Sequence, residues 1–253
     1  MKITVATAYK STDIHSILSR VHSEGDIEYQ GRNTVKSIKV ADAKWNIKIF
    51  KIPHLLNKLV YRFIRKPKAQ RSFEYAQLLL EKGVNTPTPI AYAEQRSTLF
   101  LLDSYYISEH LDYQISFRTL IYDQQYPDRT NILQQFTEFT YHLQMSGIHF
   151  IDHSPGNTLI VKQKDQHYKF YLVDLNRMNF GHLNYPARIA NFTRLSLTDE
   201  MIKIIALKYS ELCDKEYQDV YNDMLNACHT YTKKRAKSKA LKKKIKAIIG
   251  IFH

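Results

Sequence analysis

Cysteine is almost absent. The 253 residues include only Cys213 and Cys228, which do not form a Cys-x-x-Cys pair. That excludes a disulfide framework and leaves reduced structural thiols, for which a cytosolic setting fits. There is no apolar run of the roughly 18 residues that a bilayer-spanning helix needs. The opening decapeptide MKITVATAYK lacks the apolar core of a signal peptide, so none is expected. No internal repeat is present, and no acidic residue follows Asp223. What is present suffices for a real core: 44% of residues are hydrophobic, enough for one bilobal unit or two small lobes.

The most informative stretch is Ile151-Asp152-His153-Ser154-Pro155-Gly156-Asn157-Thr158-Leu159-Ile160, followed by Phe170-Tyr171-Leu172-Val173-Asp174. Pro155-Gly156 favours a turn that lets Asp152 and Asn157 share one loop. Thr158 to Val161 and Tyr168 to Val173 read as strands, and the polar run 162–167 as their hairpin connection. This is the layout that phosphoryl transfer requires. Asp152 accepts the proton of an attacking hydroxyl, while Asn157 and Asp174 offer hard oxygens to Mg²⁺ beside the phosphates of ATP. On this segment alone the plain alternative is a β-hairpin with two capping Asp residues.

Such a loop predicts a lysine-bearing strand and a glutamate-bearing helix upstream. Trp45 to Phe50 has the alternation of a strand and carries Lys48, placed to reach the α- and β-phosphates. Lys68 to Lys82 reads as a helix after Pro67, with Phe73, Ala76, Leu79 and Leu80 at helical spacing and Gly83 as its stop. Glu74, early in that helix, is the expected partner of Lys48. Thr86-Pro87-Thr88-Pro89 leads rigidly into a strand at Ile90 to Ala93. Leu99 to Leu102 and Tyr105 to Ser108 read as the next strand and the hinge, with Glu109, His110 and Leu111 as candidates to meet adenine. Asn131 to Met145 is a helix leading to the catalytic loop.

Charge is uneven. The net charge is +13, and the nine basic residues between Lys233 and Lys246 account for most of it; without them it falls to +4. Leu241, Ile245, Ile248, Ile249 and Phe252 share one helical face among those lysines. That is the pattern of an interfacial helix on an anionic leaflet, with a solvated tail or nucleic-acid binding as the alternatives. A second basic cluster, Lys58 to Arg71, surrounds an apolar stripe, Leu55 to Phe63. It suits an acidic, lipid-linked sugar or an ordinary packed helix. Only 79 residues follow Asp174, and none of them forms Ala-Pro-Glu. This favours a small or lipid-linked substrate over a protein. Arg177, Arg188 and Arg194 are candidates for sugar acids or phosphates, with surface arginines the bland reading of each.

Taken together, Lys48 to Pro53, Arg71-Ser72-Phe73-Glu74, Gly83 to Ala91, Asp152 to Asn157 and Val173 to Arg177 resemble the lipopolysaccharide core kinase family over residues 30 to 200 or so. The resemblance implies an α+β, bilobal, protein-kinase-like fold. The expected divisions are an N-lobe over 1–108, a mainly helical C-lobe over 109–231 and a basic amphipathic tail over 232–253. It also implies Lys48 and Glu74 as an ion pair, Asp152 as base, Asn157 and Asp174 as metal ligands, and ATP with Mg²⁺ as cofactors. The acceptor would be a Kdo or heptose sugar of the inner core, at the cytoplasmic leaflet of the inner membrane. A soluble phosphotransferase resembling aminoglycoside or choline kinases and an inactive kinase-like binding module are the alternatives. The sequence departs from the pattern in four places, one being that no Arg precedes Asp152, so control by a phosphorylated activation loop is not expected. Phe150 stands two before Asp152 where His is frequent, Leu175-Asn176 follows Asp174, and no Gly-x-Gly-x-x-Gly precedes Lys48. Gln30-Gly31-Arg32-Asn33 stands there instead, so Arg32 or Asn33 is expected to contact phosphate.

Overall fold

The computed structural model describes residues 1–51, 66–96 and 101–250. The sequence-predicted stripe from Leu55 to Phe63 and the cations Lys58, Arg62 and Arg65 lie outside the described residues, as does Phe252. The chain divides into two compact units: residues 1–113 with 171–177, and residues 114–170 with 178–253.

The first unit is built on a six-stranded sheet in the order β1-β5-β6-β4-β3-β2. The strands are β1 (Lys2–Val5), β2 (Asp26–Gln30), β3 (Thr34–Val40), β4 (Ala43–Phe50), β5 (Pro89–Arg96) and β6 (Leu101–Glu109). Each adjacent pair runs antiparallel. Alternation in β4 buries Trp45 and Ile47 on one face, while Lys48, half-buried, shares the other face with Phe50, which packs with Phe73 and Tyr92. Tyr105 to Ser108 belongs to β6 itself. A short helix that the sequence reading did not include, α1 (Ile14–Arg20), adds Ile14, Ile17 and Leu18 to that core. Asp13 caps it, accepting from the Ser16 N–H at 3.1 Å.

Helix α2 (Lys68–Glu81) starts directly after Pro67. It ends where Gly83, at φ +71, lets the Val84 N–H reach the Leu79 carbonyl at 2.9 Å. Ala69, Phe73, Ala76 and Leu79 are buried, whereas Leu80 is exposed and does not share their face. Residues 171–177 are stitched into this unit from three sides. The Leu172 N–H donates to Asn85 O at 3.0 Å, and the Thr86 hydroxyl donates to Leu172 O at 2.7 Å. The buried Arg71 guanidinium donates to the carbonyls of Lys66 and Asn176.

The second unit is mainly helical: α3 (Phe117–Tyr122), α4 (Arg129–Met145), α5 (Tyr185–Ala190), α6 (Asp199–Cys213) and α7 (Tyr217–Gly250). Ile132, Leu133 and Phe136 of α4 pack with Ile202, Ile205 and Tyr209 of α6 and with Val220 and Met224 of α7. Two small sheets complete it. β8 (Ile148–Phe150) pairs antiparallel with β11 (Met178–Phe180). β9 (Thr158–Lys162) lies between β7 (Ile115–Ser116) and β10 (Tyr168–Leu172). The predicted hairpin is therefore formed, closed by Gln163 N–H to His167 O at 2.7 Å. Both cysteines are free. Burial raises both thiols, that of Cys228 to about 11, which makes them unreactive structural groups.

Candidate active site

In the first unit, β4 presents Lys48 and the loop after β10 presents Asp174. The Lys48 ammonium meets Asp174 Oδ1 at 2.6 Å, and the Asn176 amide donates to the same oxygen at 2.6 Å. Asp174 sits at φ +59, a left-handed conformation that Asp and Asn tolerate better than other side chains. Arg71, by holding the Asn176 carbonyl, fixes the loop in that conformation.

The Lys48–Glu74 pair expected from the sequence is not formed. Glu74 accepts two bonds from Lys66, at 2.9 and 3.0 Å, and one from Gln70 at 2.9 Å. Lys66 lies two residues before the first residue of α2 and turns to Glu74, while Asp174 occupies the Lys48 ammonium.

Further cations gather beside Lys48. Lys68 and Lys48 both lie over the Phe50 ring, their ammonium groups 5.9 and 5.5 Å from its centroid. Burial lowers the pKa of Lys68 first. Arg32, Arg71 and Lys48 also lower it, while Asp174 opposes them. Lys68, the first helical residue after Pro67, belongs to the basic cluster from Lys58 to Arg71 that the sequence assigned to an acidic sugar or to a packed helix. Arg32 is exposed in the β2–β3 turn. Asn33 has a turn role: its side chain accepts from the Lys51 N–H at 3.3 Å. Glu109 is committed within the sheet, its N–H to Thr88 O at 2.9 Å and its carboxylate to the Tyr9 hydroxyl at 2.7 Å. Burial and then Glu109 push that phenol up to about 12.

In the second unit, Asp152 and Asn157 share one loop. The Asn157 amide nitrogen donates to Asp152 O at 2.8 Å, and residues 155–157 form a 3₁₀ turn that opens with Pro155. The Asn157 side-chain oxygen has no protein donor among the described residues. Arg194, from the 3₁₀ turn Thr193–Leu195, donates to Asp152 Oδ1 at 2.6 Å. Behind the loop, Asn191 donates to Phe150 O at 2.9 Å.

His153 is fully buried, its ring 5.5 Å from Phe150 and 5.6 Å from Phe136. Burial pushes its pKa down to about 4, with the Asn191 side chain pulling weakly the other way. The folded value lies below the unfolded 6.5, so the unfolded chain takes up the proton first as pH falls. The stability contribution is complete above pH 6.5 and is lost on the way down to pH 4, by about 3 kcal/mol. Urea unfolding should show the wild type losing that much more than His153→Phe between pH 7 and pH 4. Equal losses would show that the ring is not buried neutral.

The donor set fits Mg²⁺. Asp174 in the first unit and Asn157 in the second each carry a hard oxygen of the kind Mg²⁺ takes, and a cation that keeps several waters and phosphate oxygens needs few protein ligands. No cluster of three or more His, Cys, Asp or Glu suited to a metal occurs among the described residues.

An antiparallel sheet carrying a lysine strand, and a helical unit carrying an Asp–Asn loop, define a phosphotransferase of the kinase-like fold. The family model described as the lipopolysaccharide kinase (Kdo/WaaP) family matches residues 17–222, and the chain belongs to that family. Membership makes it a kinase of lipopolysaccharide biosynthesis that uses ATP. Among solved structures, the chain is similar to WaaP in complex with acyl carrier protein. The identity is 15%, the alignment covers 94% of this chain and 99% of that one, and the TM-score is 0.63. Fainter likenesses are to the Rio2 kinase–ADP/Mg²⁺–phosphoaspartate complex from Chaetomium thermophilum and to a microcompartment-associated aminopropanol kinase. The former has 14% identity, coverage of 89% and 75%, and a TM-score of 0.49. The latter has 9% identity, coverage of 85% and 89%, and a TM-score of 0.47. At 15% identity the likeness to WaaP is one of fold. No curated protein matches the sequence at significant similarity.

Proposed function

We propose that the protein transfers the γ-phosphoryl group of ATP to a hydroxyl of Kdo or heptose in the lipopolysaccharide inner core, working at the cytoplasmic leaflet of the inner membrane. The observation that carries this reading is the Lys48–Asp174 ion pair, 2.6 Å between residues 126 apart in sequence. In a kinase-family chain it joins a phosphate-binding cation to a metal-binding carboxylate.

Asp152 takes the proton of the sugar hydroxyl as its oxygen bonds to the γ-phosphorus. The bond from that phosphorus to the bridging oxygen breaks, and ADP leaves. Lys48, Lys68 and Arg32 offset the charge of the phosphates. In this reading their side chains replace the backbone N–H cradle that a Gly-rich loop would supply. Asp174 and the Asn157 oxygen would hold Mg²⁺, which when bound neutralises phosphate charge and orients the γ-phosphoryl group.

The test is transfer of labelled phosphate from ATP–Mg²⁺ to Kdo-primed lipid A, with heptose-bearing core in parallel. Asp152→Ala should keep nucleotide binding and lose transfer to one or both acceptors. Retained transfer in that variant would remove Asp152 from the role of base.

A further inference from the structure

Two arginines flank the Asp152–Asn157 loop without belonging to it. Arg194 reaches the Asp152 carboxylate at 2.6 Å from a position 42 residues downstream. Its turn is pinned on both sides: Phe192 and Leu195 are fully buried, and the neighbouring Asn191 amide is bonded to Phe150 O. The guanidinium is thus delivered to the carboxylate by a fixed backbone, yet its side chain remains 34% exposed.

Arg118 stands over the other end of the loop. A Cβ on Gly156 would lie 2.9 Å from Arg118 Nη2 and 3.6 Å from its Cζ, so Gly156 leaves room for that guanidinium. Arg118 is exposed, and among the described residues it has no hydrogen-bond or ion-pair partner. The loop from Phe150 to Thr158 carries one acid, Asp152, against these two cations. Arg188, by contrast, is committed elsewhere: its guanidinium lies 5.9 Å from the ring centroids of both Tyr141 and Tyr185.

We propose that Arg118 and Arg194 form an anion-binding pair on the acceptor side of the catalytic loop, recognising a carboxylate or phosphate on the sugar and so bringing its neighbouring hydroxyl to Asp152. A guanidinium's planar fork of donors matches either anion, and a lysine would not reproduce it. Arg194 has a second task. While no acceptor is bound it holds the Asp152 carboxylate in place, and an arriving anion shares its remaining donors. The inference rests on the sugar-kinase reading above and adds what that enzyme recognises.

The experiment compares wild type, Arg118→Gln, Arg194→Gln and Arg194→Lys on three acceptors. These are Kdo-primed lipid A, the same acceptor with its carboxylate methyl-esterified, and the same acceptor with its lipid A phosphates removed. Acceptor KM and kcat are measured, together with acceptor binding in the absence of nucleotide. Arg118→Gln should raise the acceptor KM, and weaken nucleotide-free binding, by about 10- to 100-fold, the range for losing a charge-assisted contact. The effect should disappear on the acceptor lacking the recognised anion, and which modified acceptor does this identifies carboxylate or phosphate. Arg194→Gln should show the same KM effect with an added fall in kcat, and Arg194→Lys should restore kcat better than KM. An unchanged acceptor KM in Arg118→Gln, or equal losses on all three acceptors, overturns the pair as a recognition element. Absence of transfer by the wild type on every acceptor would instead overturn the sugar-kinase reading itself.

Discussion

Replacing Asp174 with Asn should lower kcat by roughly 10³-fold while leaving the fold intact, the scale seen when a preorganised electrostatic group is removed from a reaction centre. The substitution is nearly isosteric, and Asn tolerates the left-handed backbone that Asp174 adopts at φ +59. An amide oxygen can still accept from Lys48 and from Asn176. What disappears is the negative charge, and with it the strongest oxygen ligand of the proposed Mg²⁺ site. Asp174 Oδ1 is taken by Lys48 and Asn176, both at 2.6 Å, so Oδ2 is the atom left for a metal. Nucleotide affinity measured with Mg²⁺ should fall, and affinity measured in EDTA should change little or rise, because Lys48 is released toward phosphate. Turnover within tenfold of wild type would remove Asp174 from the metal site. Thermal unfolding checks the fold: the ion pair is only 16% and 32% exposed at its two ends, so losing its negative charge should lower the midpoint while leaving a cooperative transition.

The parts of this site that were legible in the sequence were those fixed by local rules. Pro155-Gly156 between Asp152 and Asn157 makes a tight turn, and the structure closes it with the Asn157 amide on the Asp152 carbonyl. Alternation around Lys48, and Pro67 with Gly83 around α2, gave a strand and a helix within a residue or two at most ends. What local rules could not give was partnership. Glu74 lies on the expected helix, but whether it turns to Lys48 or Lys66 depends on which cation is left without an acid, and Asp174 had already engaged Lys48. Thr86 read as part of a stiff Thr-Pro-Thr-Pro connector. Its hydroxyl in fact anchors Leu172 from 86 residues away. His153 hid in plain view: no pattern distinguishes a buried neutral imidazole beside Asp152 from a loop histidine in solvent. Arg194 stood in the sequence only as one of three candidate arginines after Asp174, and Arg118 in no motif; the placement of Gly156 and of the Asn191–Leu195 turn sets these two apart.

Deleting residues 232–253 should abolish binding to anionic vesicles and transfer to lipid-embedded acceptor, while thermal stability and turnover of a detergent-free, soluble sugar acceptor remain near wild type. The physical division is visible along α7. Val220, Met224 and Cys228 are buried at four-residue spacing and belong to the core of the second unit. From Thr232 to Ile245 every residue is exposed. That exposed stretch includes Leu241 at 59% and Ile245 at 46%, one turn apart and surrounded by lysines, and the sequence continues the apolar spacing at Ile248 and Ile249. No helix among the described residues is long and apolar enough to cross a membrane. A helix with an apolar stripe inside a cationic collar is suited to lying in the headgroup plane. Each basic residue near an anionic surface contributes about 1 kcal/mol, so loss of even three of the nine contacts lowers partitioning by roughly 100-fold. Cosedimentation with vesicles of 30% phosphatidylglycerol in phosphatidylcholine reads this directly, and binding of the full chain should weaken steeply with salt. Equal vesicle binding by the truncated and full chains would leave the tail as a solvated helix. Equal turnover of the lipid-embedded acceptor would show that the enzyme reaches its sugar without a surface anchor, and would favour the soluble phosphotransferase reading.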